Sequence, residues 1–378
     1  MRVGLLIAFA GRNCGGPEVF EREIVRAMAT ASTSYEYHLY CLDRRAREVI
    51  DFEGGNVFYH QLQPRIRAVA LMTSLPLAMS RTRPEVFYAP VIPPPFCPPR
   101  TIMSMPCSSL LRHPEFYPPH IRWRLRFLLH RAVRKSAKVI CPSAHIRDVV
   151  EECLGVPADR LPVIHPGVSP QFRPIAEDER STFLAQRYGI RGPYFLFSGR
   201  WEKRKNILGT LQAFALFKRN HRSEHKLVLT GGQSWDSSEV HEAMVRHRVA
   251  DMVVDLGKSP VEELPYLYAG ADGLIYASLW EGFGMPIVEA MACGAPVITS
   301  DVAAMPETAG GCALLVDPHS PEQIADAMQR LASDTTLRAR LSTMGLKRAQ
   351  RFSWETAARQ TFDLYEDVAG RTQLSSVA

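Results

Sequence analysis

Two glutamates, Glu281 and Glu289, stand eight positions apart in the stretch LWEGFGMPIVEAMACGAPVITSD, residues 279–301, with Gly282, Phe283, Gly284 and Pro286 between them. Proline suits the first turn of a helix, where its missing N–H is no loss. A helix opening there would leave the amides of Ile287 and Val288 without partners at the positive end of the helix dipole, a natural seat for a phosphate. Gly282 and Gly284 allow the backbone to approach a ligand closely. With a carboxylate on either side, the segment can take a diphosphate in the middle and a hydroxyl-bearing sugar at each end. The same residues also read as a plain turn followed by a glutamate that the dipole favours, so spacing alone leaves both readings open.

A second constellation lies upstream. In GRWEKRKN, Arg200 and Lys205 are five apart at a strand-to-helix turn, where a guanidinium and an ammonium can clamp two phosphates of one diphosphate. Lys203 and Arg204 read as solvated members of the same basic run. The alternative is a solvated basic loop throughout.

These side chains need a scaffold. With 378 residues and 46% apolar content the chain exceeds one core, and two domains follow. Short apolar runs alternate with amphipathic stretches, the pattern of parallel strands joined by helices. The runs predict strands over 3–9, 139–141, 194–198, 226–230, 273–277, 296–299 and 313–316. Helices are predicted over 18–30, 121–135, 206–217, 286–292, 321–331 and 357–368. The Pro- and Gly-rich stretch 168–193 predicts the hinge, and a proline-dense loop occupies 89–100. Two doubly wound α/β domains facing a common cleft would bind ligand between them.

Bulk properties narrow the partners. A net charge of +6 suits anionic small molecules or an anionic membrane surface better than nucleic acid. Eight cysteines without C-x-x-C spacing read as reduced thiols and predict a cytoplasmic protein. The apolar start reads as a first buried strand rather than a signal peptide, and no run approaches the length of a spanning helix.

SGRWEKRKN, LTGG and the E-x7-E segment together resemble the donor-binding half of family 4 of the retaining glycosyltransferases. The likeness extends over most of the chain. CGGPEVFEREIVRAMA is similar to the family's N-terminal glycine loop and first helix, HPEFYP and the stretch 132–172 to the lead-in to the hinge, and RFSWETAARQTFDLYEDV to the helix that crosses back onto the first domain. The resemblance implies a GT-B fold, with a domain over 1–170 completed by a helix at about 355–378, and a nucleotide-sugar donor domain over 190–354. It implies that Arg200 and Lys205 hold the donor diphosphate, that Glu289 binds the ribose, and that Glu281 with the backbone of Gly282, Phe283 and Gly284 holds the sugar. Gly15 and Gly16 would lie close to the phosphates or the acceptor, and 255–258 near the base. Ile287 and Val288 would supply helix-start amides. The implied reaction retains the anomeric configuration, uses Glu281, Arg200 and Lys205, and needs neither cofactor nor metal. No D-x-D metal motif is present in the sequence. The implied acceptor is a glycan or lipid-linked sugar, as in bacterial-type surface polysaccharide synthesis.

One departure stands out. Where the family has a His-Asp pair that reaches the donor sugar near its sixth carbon, this chain has Pro106 and Cys107. Neither offers a charged hydrogen-bonding group. Three explanations remain: a donor without a 6-hydroxyl, another side chain such as Arg112 in the role, or impaired catalysis. A binding-only relative and a nucleotide-sugar epimerase of the same fold are the competing functions. Residues 120–138, basic and amphipathic with Trp123 and Phe127 among arginines, read either as a peripheral membrane contact or as a surface helix packed through Ile121, Leu125, Leu128 and Ala132.

Overall fold

The computed structural model describes residues 1–371 except 13–14, 91–92, 95–97, 99 and 233–236. Cys14, Cys97, part of the 89–100 loop and the end of the C-terminal segment lie outside the described residues. The chain divides into two compact units, Met1–Gly167 with the segment from Ser353 onward, and Val168–Phe352.

The first unit is a six-stranded parallel sheet of β1 (Arg2–Ile7), β2 (Glu36–Cys41), β3 (Val57–Gln61), β4 (Val86–Pro90), β5 (Thr101–Ser104) and β6 (Lys138–Ile140), in the order β3-β2-β1-β4-β5-β6. The second unit repeats the plan with β7 (Tyr194–Ser198), β8 (Lys226–Thr230), β9 (Val253–Asp255), β10 (Gly273–Tyr276), β11 (Val297–Ser300) and β12 (Leu314–Val316), in the order β12-β11-β10-β7-β8-β9. The central strands, such as YFLFS of β7 and GLIY of β10, are continuous apolar runs buried along their length because helices cover both faces, whereas the edge strands β3, β9 and β12 are partly exposed.

The boundary between the units falls at the start of the stretch read as a hinge, between Gly167 and Val168, and the stretch also carries a helix that the sequence reading did not predict. Glu177–Tyr188 opens with three acids and closes on Gly189 in the left-handed region, and its Leu184 is buried against Tyr194 and Leu267 in the second unit. Only one core residue marks it, so its proline-rich flanks dominate the sequence signal. The C-terminal helix Trp354–Ala369 belongs to the first unit, where Trp354 meets Phe20 edge-to-face at 5.4 Å and Tyr35 donates to Glu366 at 2.7 Å.

Candidate functional site

In the second unit the strand order reverses between β10 and β7, the place where open parallel sheets present ligand sites at their C-terminal edge. Both predicted constellations leave from these two strand ends. Their loops are tied together: the Leu279 amide donates to the Arg204 carbonyl at 2.8 Å, and Asn206 Nδ2 donates to the carbonyls of Ala277 and Pro318 at 2.9 and 2.7 Å. From the β8 side Gly231 closes in at φ +144°, and a Cβ there would lie 1.9 Å from the Gly199 carbonyl oxygen. Only glycine fits, which gives the LTGG stretch its physical reason. The 255–258 loop adjoins this turn, with the Gly257 carbonyl accepting from the Gly231 amide at 2.7 Å.

Glu281 is 6% exposed and doubly paired. Lys205 Nζ lies 2.6 Å from its Oε1 and Arg204 Nη1 lies 2.5 Å from its Oε2. Lys205 also donates to the Tyr276 hydroxyl and sits 4.7 Å from that ring's centroid. Burial pushes the Glu281 carboxyl upward, but the Arg204 and Lys205 charges outweigh it and hold it at about 2. Burial lowers the Lys205 ammonium, and Glu281 opposes that shift. Glu281 is therefore a fixed anion, suited to accepting hydroxyl hydrogen bonds rather than to carrying protons.

Arg204 corrects the sequence reading. It is not solvated: besides Glu281 it reaches the Trp280 carbonyl at 3.1 Å and Glu202 at 3.3 Å. Its neighbour Lys203 is exposed as expected. Arg200 remains half-exposed with Nε 3.4 Å from Glu202 Oε1, so the structure gathers Lys205 rather than Arg200 against Glu281.

The surroundings of Glu289 differ. The Tyr268 hydroxyl lies 2.9 Å from Glu289 Oε2 and 2.9 Å from Ser198 Oγ. An ionised carboxylate can only accept, so the phenol donates to Glu289 and accepts from Ser198. Burial raises the Glu289 carboxyl to about 7, against the lowering effects of Tyr268 and the Lys205 charge. Sequence reading missed Tyr268. Its signal was a tyrosine on the buried side of the short Leu264–Ala269 helix, which looked like packing alone.

Glu289 lies on the Met285–Ala292 helix, capped by Gly284 at φ +96° and with Pro286 in its first turn. The expectation of two free amides fails here, because Ile287 N–H donates to the Gly284 carbonyl at 2.9 Å in a tight first turn. The Ile287 and Val288 side chains are fully buried. Phe283 packs edge-to-face on Phe352 at 5.2 Å while its carbonyl accepts from Thr308 at 2.6 Å, and this anchor fixes the backbone from Gly282 to Gly284.

In the first unit Gly15 caps the Gly16–Ala31 helix at φ +71°, and a Cβ on Gly15 or Gly16 would meet nothing within 4 Å. Glu21 organises the preceding loop: its carboxylate accepts from the amides of Ala8, Phe9 and Ala10 at 2.9, 2.8 and 2.8 Å, and Glu18 accepts from Gly11 at 2.8 Å. Burial outweighs those amides and raises Glu21 to about 7. An acid on the apolar stripe of Ile24, Val25 and Met28 was the signal that could have revealed it. Pro106 and Cys107 follow β5, and the Cys107 thiol donates to Ser109 Oγ at 3.2 Å. Arg112, the other side chain considered for that place, is ion-paired with Glu152.

On the Pro119–Lys135 helix, Leu129, Ala132 and Val133 are buried and Leu125 is partly so, while Trp123 and Phe127 are 79% and 58% exposed and stacked at 6.0 Å. The side chain of Ile121 lies outside the described residues. One side packs and the other presents aromatics. Among the described residues all cysteines are free thiols, no three metal-ligating side chains converge, and no helix is long and apolar enough to cross a membrane.

Comparison with known proteins gives this arrangement a context. A profile described as Glycosyltransferase Family 4 matches residues 14–172, and one described as Glycosyl transferases group 1 matches 184–348. The chain is 32% identical over 271 residues to O-antigen chain mannosyltransferase B of Escherichia coli, which covers 71% of this chain and 70% of that protein. It is 33% identical over 258 residues to a D-inositol 3-phosphate glycosyltransferase of Streptomyces bingchenggensis, covering 65% of this chain and 56% of the relative. Among solved structures, sucrose-phosphate synthase from Thermosynechococcus elongatus superposes with TM-score 0.81 at 18% identity, over 98% of this chain and 100% of that one. Anabaena HepE in complex with UDP and glucose gives 0.77 at 20% identity, over 97% and 100%. With both halves matched in order and a glycosyltransferase relative spanning most of the chain, the protein belongs to glycosyltransferase family 4, and its two sheets are the Rossmann-like domains of the GT-B fold.

Proposed function

We propose that this glycosyltransferase moves a hexose or 6-deoxyhexose from a nucleoside-diphosphate sugar to a glycan or lipid-linked acceptor during surface polysaccharide synthesis, with retention at the anomeric carbon. The observation that carries the reading is the pair of unlike carboxylates at the β7/β10 edge: Glu281 held ionised by Arg204 and Lys205, and Glu289 held by Tyr268. The E. coli relative's name, an O-antigen chain mannosyltransferase, supports the acceptor class, and the UDP and glucose bound by Anabaena HepE support the donor class.

Lys205 and Arg200 take the diphosphate, and Glu289 accepts from the ribose hydroxyls. Glu281 accepts from the sugar hydroxyls beside the Gly282–Gly284 backbone. Gly15 and Gly16 leave space at the glycine loop for phosphate or acceptor. As the bond from the anomeric carbon to the phosphate oxygen breaks, the acceptor oxygen bonds to that carbon on the same face and its proton passes to the departing phosphate oxygen. The protein's part is positioning and stabilisation of leaving-group charge. Lys205 and Arg200 are the charge partners in this scheme, so transfer is expected to be insensitive to a chelator.

The acceptor would be met at the cytoplasmic face of a membrane, with the Pro119–Lys135 helix as a peripheral contact to anionic lipid. Pro106 and Cys107 favour a donor lacking the 6-hydroxyl, because an extra hydroxyl facing a proline ring and a thiol would be unpaired, at about 1–3 kcal/mol. Transfer and hydrolysis assays over a nucleotide-sugar panel test the function. Activity with at least one donor is expected, and no turnover with any would overturn it. Within the active set, kcat/KM for a nucleotide-linked mannose against its 6-deoxy counterpart tests the second point: equal values or a preference for mannose would remove the deoxy-sugar reading.

A further inference from the structure

The charge of the chain is unevenly distributed. Residues 54–147 hold fourteen Lys or Arg against two acids, Glu85 and Glu115, a net of +12 where the whole chain carries +6. The remainder is therefore acidic on balance, and the basic excess lies within the first unit.

Within that segment, two sets of helices share one side of the first sheet. Ala70 and Leu75, from the helices Arg67–Met72 and Ser74–Thr82, pack on Leu6, Phe87 and Ala89. Leu129, Ala132 and Val133 of the Pro119–Lys135 helix pack on Met103 and Val139. Ala89 pairs with Met103 and Met103 with Val139 across parallel strands. Paired residues of a parallel sheet point to the same side, so these helices form one layer over one face.

The outer surface of that layer is apolar at two places. Ile66 is 66% exposed and Leu77 53%, with Val69 and Met72 also exposed, and Arg65, Arg67, Arg81 and Arg83 in the same stretch of chain. The second place is the stacked pair Trp123 and Phe127, on a helix whose Arg124, Arg126, Arg131, Arg134 and Lys135 are exposed and which contains no acid. Large apolar side chains left in water beside a one-sign field call for a partner that is apolar beneath and anionic on top. A bilayer with anionic headgroups has both properties, and arginines beside inserted aromatics suit its interface.

We propose that this layer docks on an anionic lipid bilayer at two points, the 66–77 hairpin and the Trp123–Phe127 ridge, both of which enter the headgroup region. The inference rests on the reading of the Pro119–Lys135 helix as a membrane contact and adds to it a second, sequence-distant anchor. Two anchors fix the orientation of the first unit on the surface, which one helix alone leaves free to rotate.

Sedimentation of the full chain with vesicles of phosphatidylglycerol and phosphatidylcholine, against phosphatidylcholine alone, tests it. The triple variant Ile66→Ser/Met72→Ser/Leu77→Ser and the double variant Trp123→Ser/Phe127→Ser alter exposed side chains, and unchanged Tm and nucleoside-diphosphate affinity confirm their fold. Each is expected to weaken partitioning onto anionic vesicles at least tenfold, and salt to weaken it further. A triple variant that partitions like the parent, beside a double variant that does not, would overturn the second anchor and leave the single-helix reading standing. Failure of the parent to bind anionic vesicles would overturn both. Equal binding to uncharged vesicles would overturn the anionic surface, and a solution dimer that the triple variant dissociates would assign the hairpin to a second copy of the chain.

Discussion

Glu281 and Glu289 are eight residues apart on one strand–loop–helix segment, yet their surroundings are opposite in kind. Glu281 is held by two cations and lies at about 2, whereas Glu289 has a neutral phenol as its direct partner and lies at about 7. Spacing placed both carboxylates at one edge, but their chemistry is set by residues far away in sequence: Arg204 and Lys205 for one, Tyr268 and Ser198 for the other. The Glu281 end is built as a permanent charge. The Glu289 end is built to gain or lose one near neutrality.

The largest effect that separates the two ends is expected from Lys205→Ala, because Lys205 pairs with Glu281 and its charge also reaches Glu289. Loss of a charge-assisted contact should weaken nucleoside-diphosphate binding by about 2 kcal/mol, roughly thirtyfold. Calorimetry with the nucleotide alone measures it, and unchanged affinity would remove Lys205 from the phosphate site. Arg204→Ala should act at the Glu281 end only. Its partly exposed guanidinium calls for a discount from the cost of a fully buried pair, to about 1–2 kcal/mol of stability, with turnover reduced more than nucleotide affinity. A variant that loses nucleotide affinity first would merge the two ends.

Smaller effects follow at Glu289. Tyr268→Phe removes one hydrogen bond, worth about 1 kcal/mol or roughly fivefold in nucleotide affinity, and the loss should be greatest near neutral pH. Because the phenol stabilises the ionised carboxylate, its removal moves the midpoint of the affinity-versus-pH curve to higher pH. Affinity in the parent should rise as pH climbs through about 7, and Glu289→Gln should flatten that component. The stability contributions carry opposite signs. Glu281, depressed from 4.5 to about 2, stabilises the fold above pH 4.5 and loses that contribution as pH falls toward 2. Glu289, raised from 4.5 to about 7, binds its proton more tightly in the fold, so its contribution is full below 4.5 and is lost as pH rises toward 7. Urea melts of the parent, Glu281→Gln and Glu289→Gln across that range measure both slopes.

The sequence carried the frame of the site well. The strands 194–198 and 226–230 were legible with their bounds because apolar runs lie between Pro, Gly and charged residues. β2 and β3, EYHLYC and VFYHQ, were not, since histidines and polar residues interrupt their runs. The Thr335–Ala349 helix hid among arginines. At the site the residue types and spacings of Lys205, Glu281 and Glu289 were readable. Arg204 was not, because whether a guanidinium in an EKRK run is solvated or buried depends on a carboxylate 77 positions on, a tertiary fact. The pairing of Ile287's amide was lost for a similar reason: an ideal first turn leaves it open, and the turn formed here is tighter.

The division of labour between the two carboxylates is tested most directly by nucleoside-diphosphate binding without any sugar. Isothermal titration of the parent, Glu281→Gln and Glu289→Gln with the same nucleoside diphosphate, at a pH above 7, isolates the nucleotide end. Glu289→Gln is predicted to lose affinity by roughly fivefold or more while Glu281→Gln binds like the parent. The reverse result, with Glu281→Gln weakened and Glu289→Gln unchanged, would contradict the assignment of ribose to Glu289 and of the transferred sugar to Glu281.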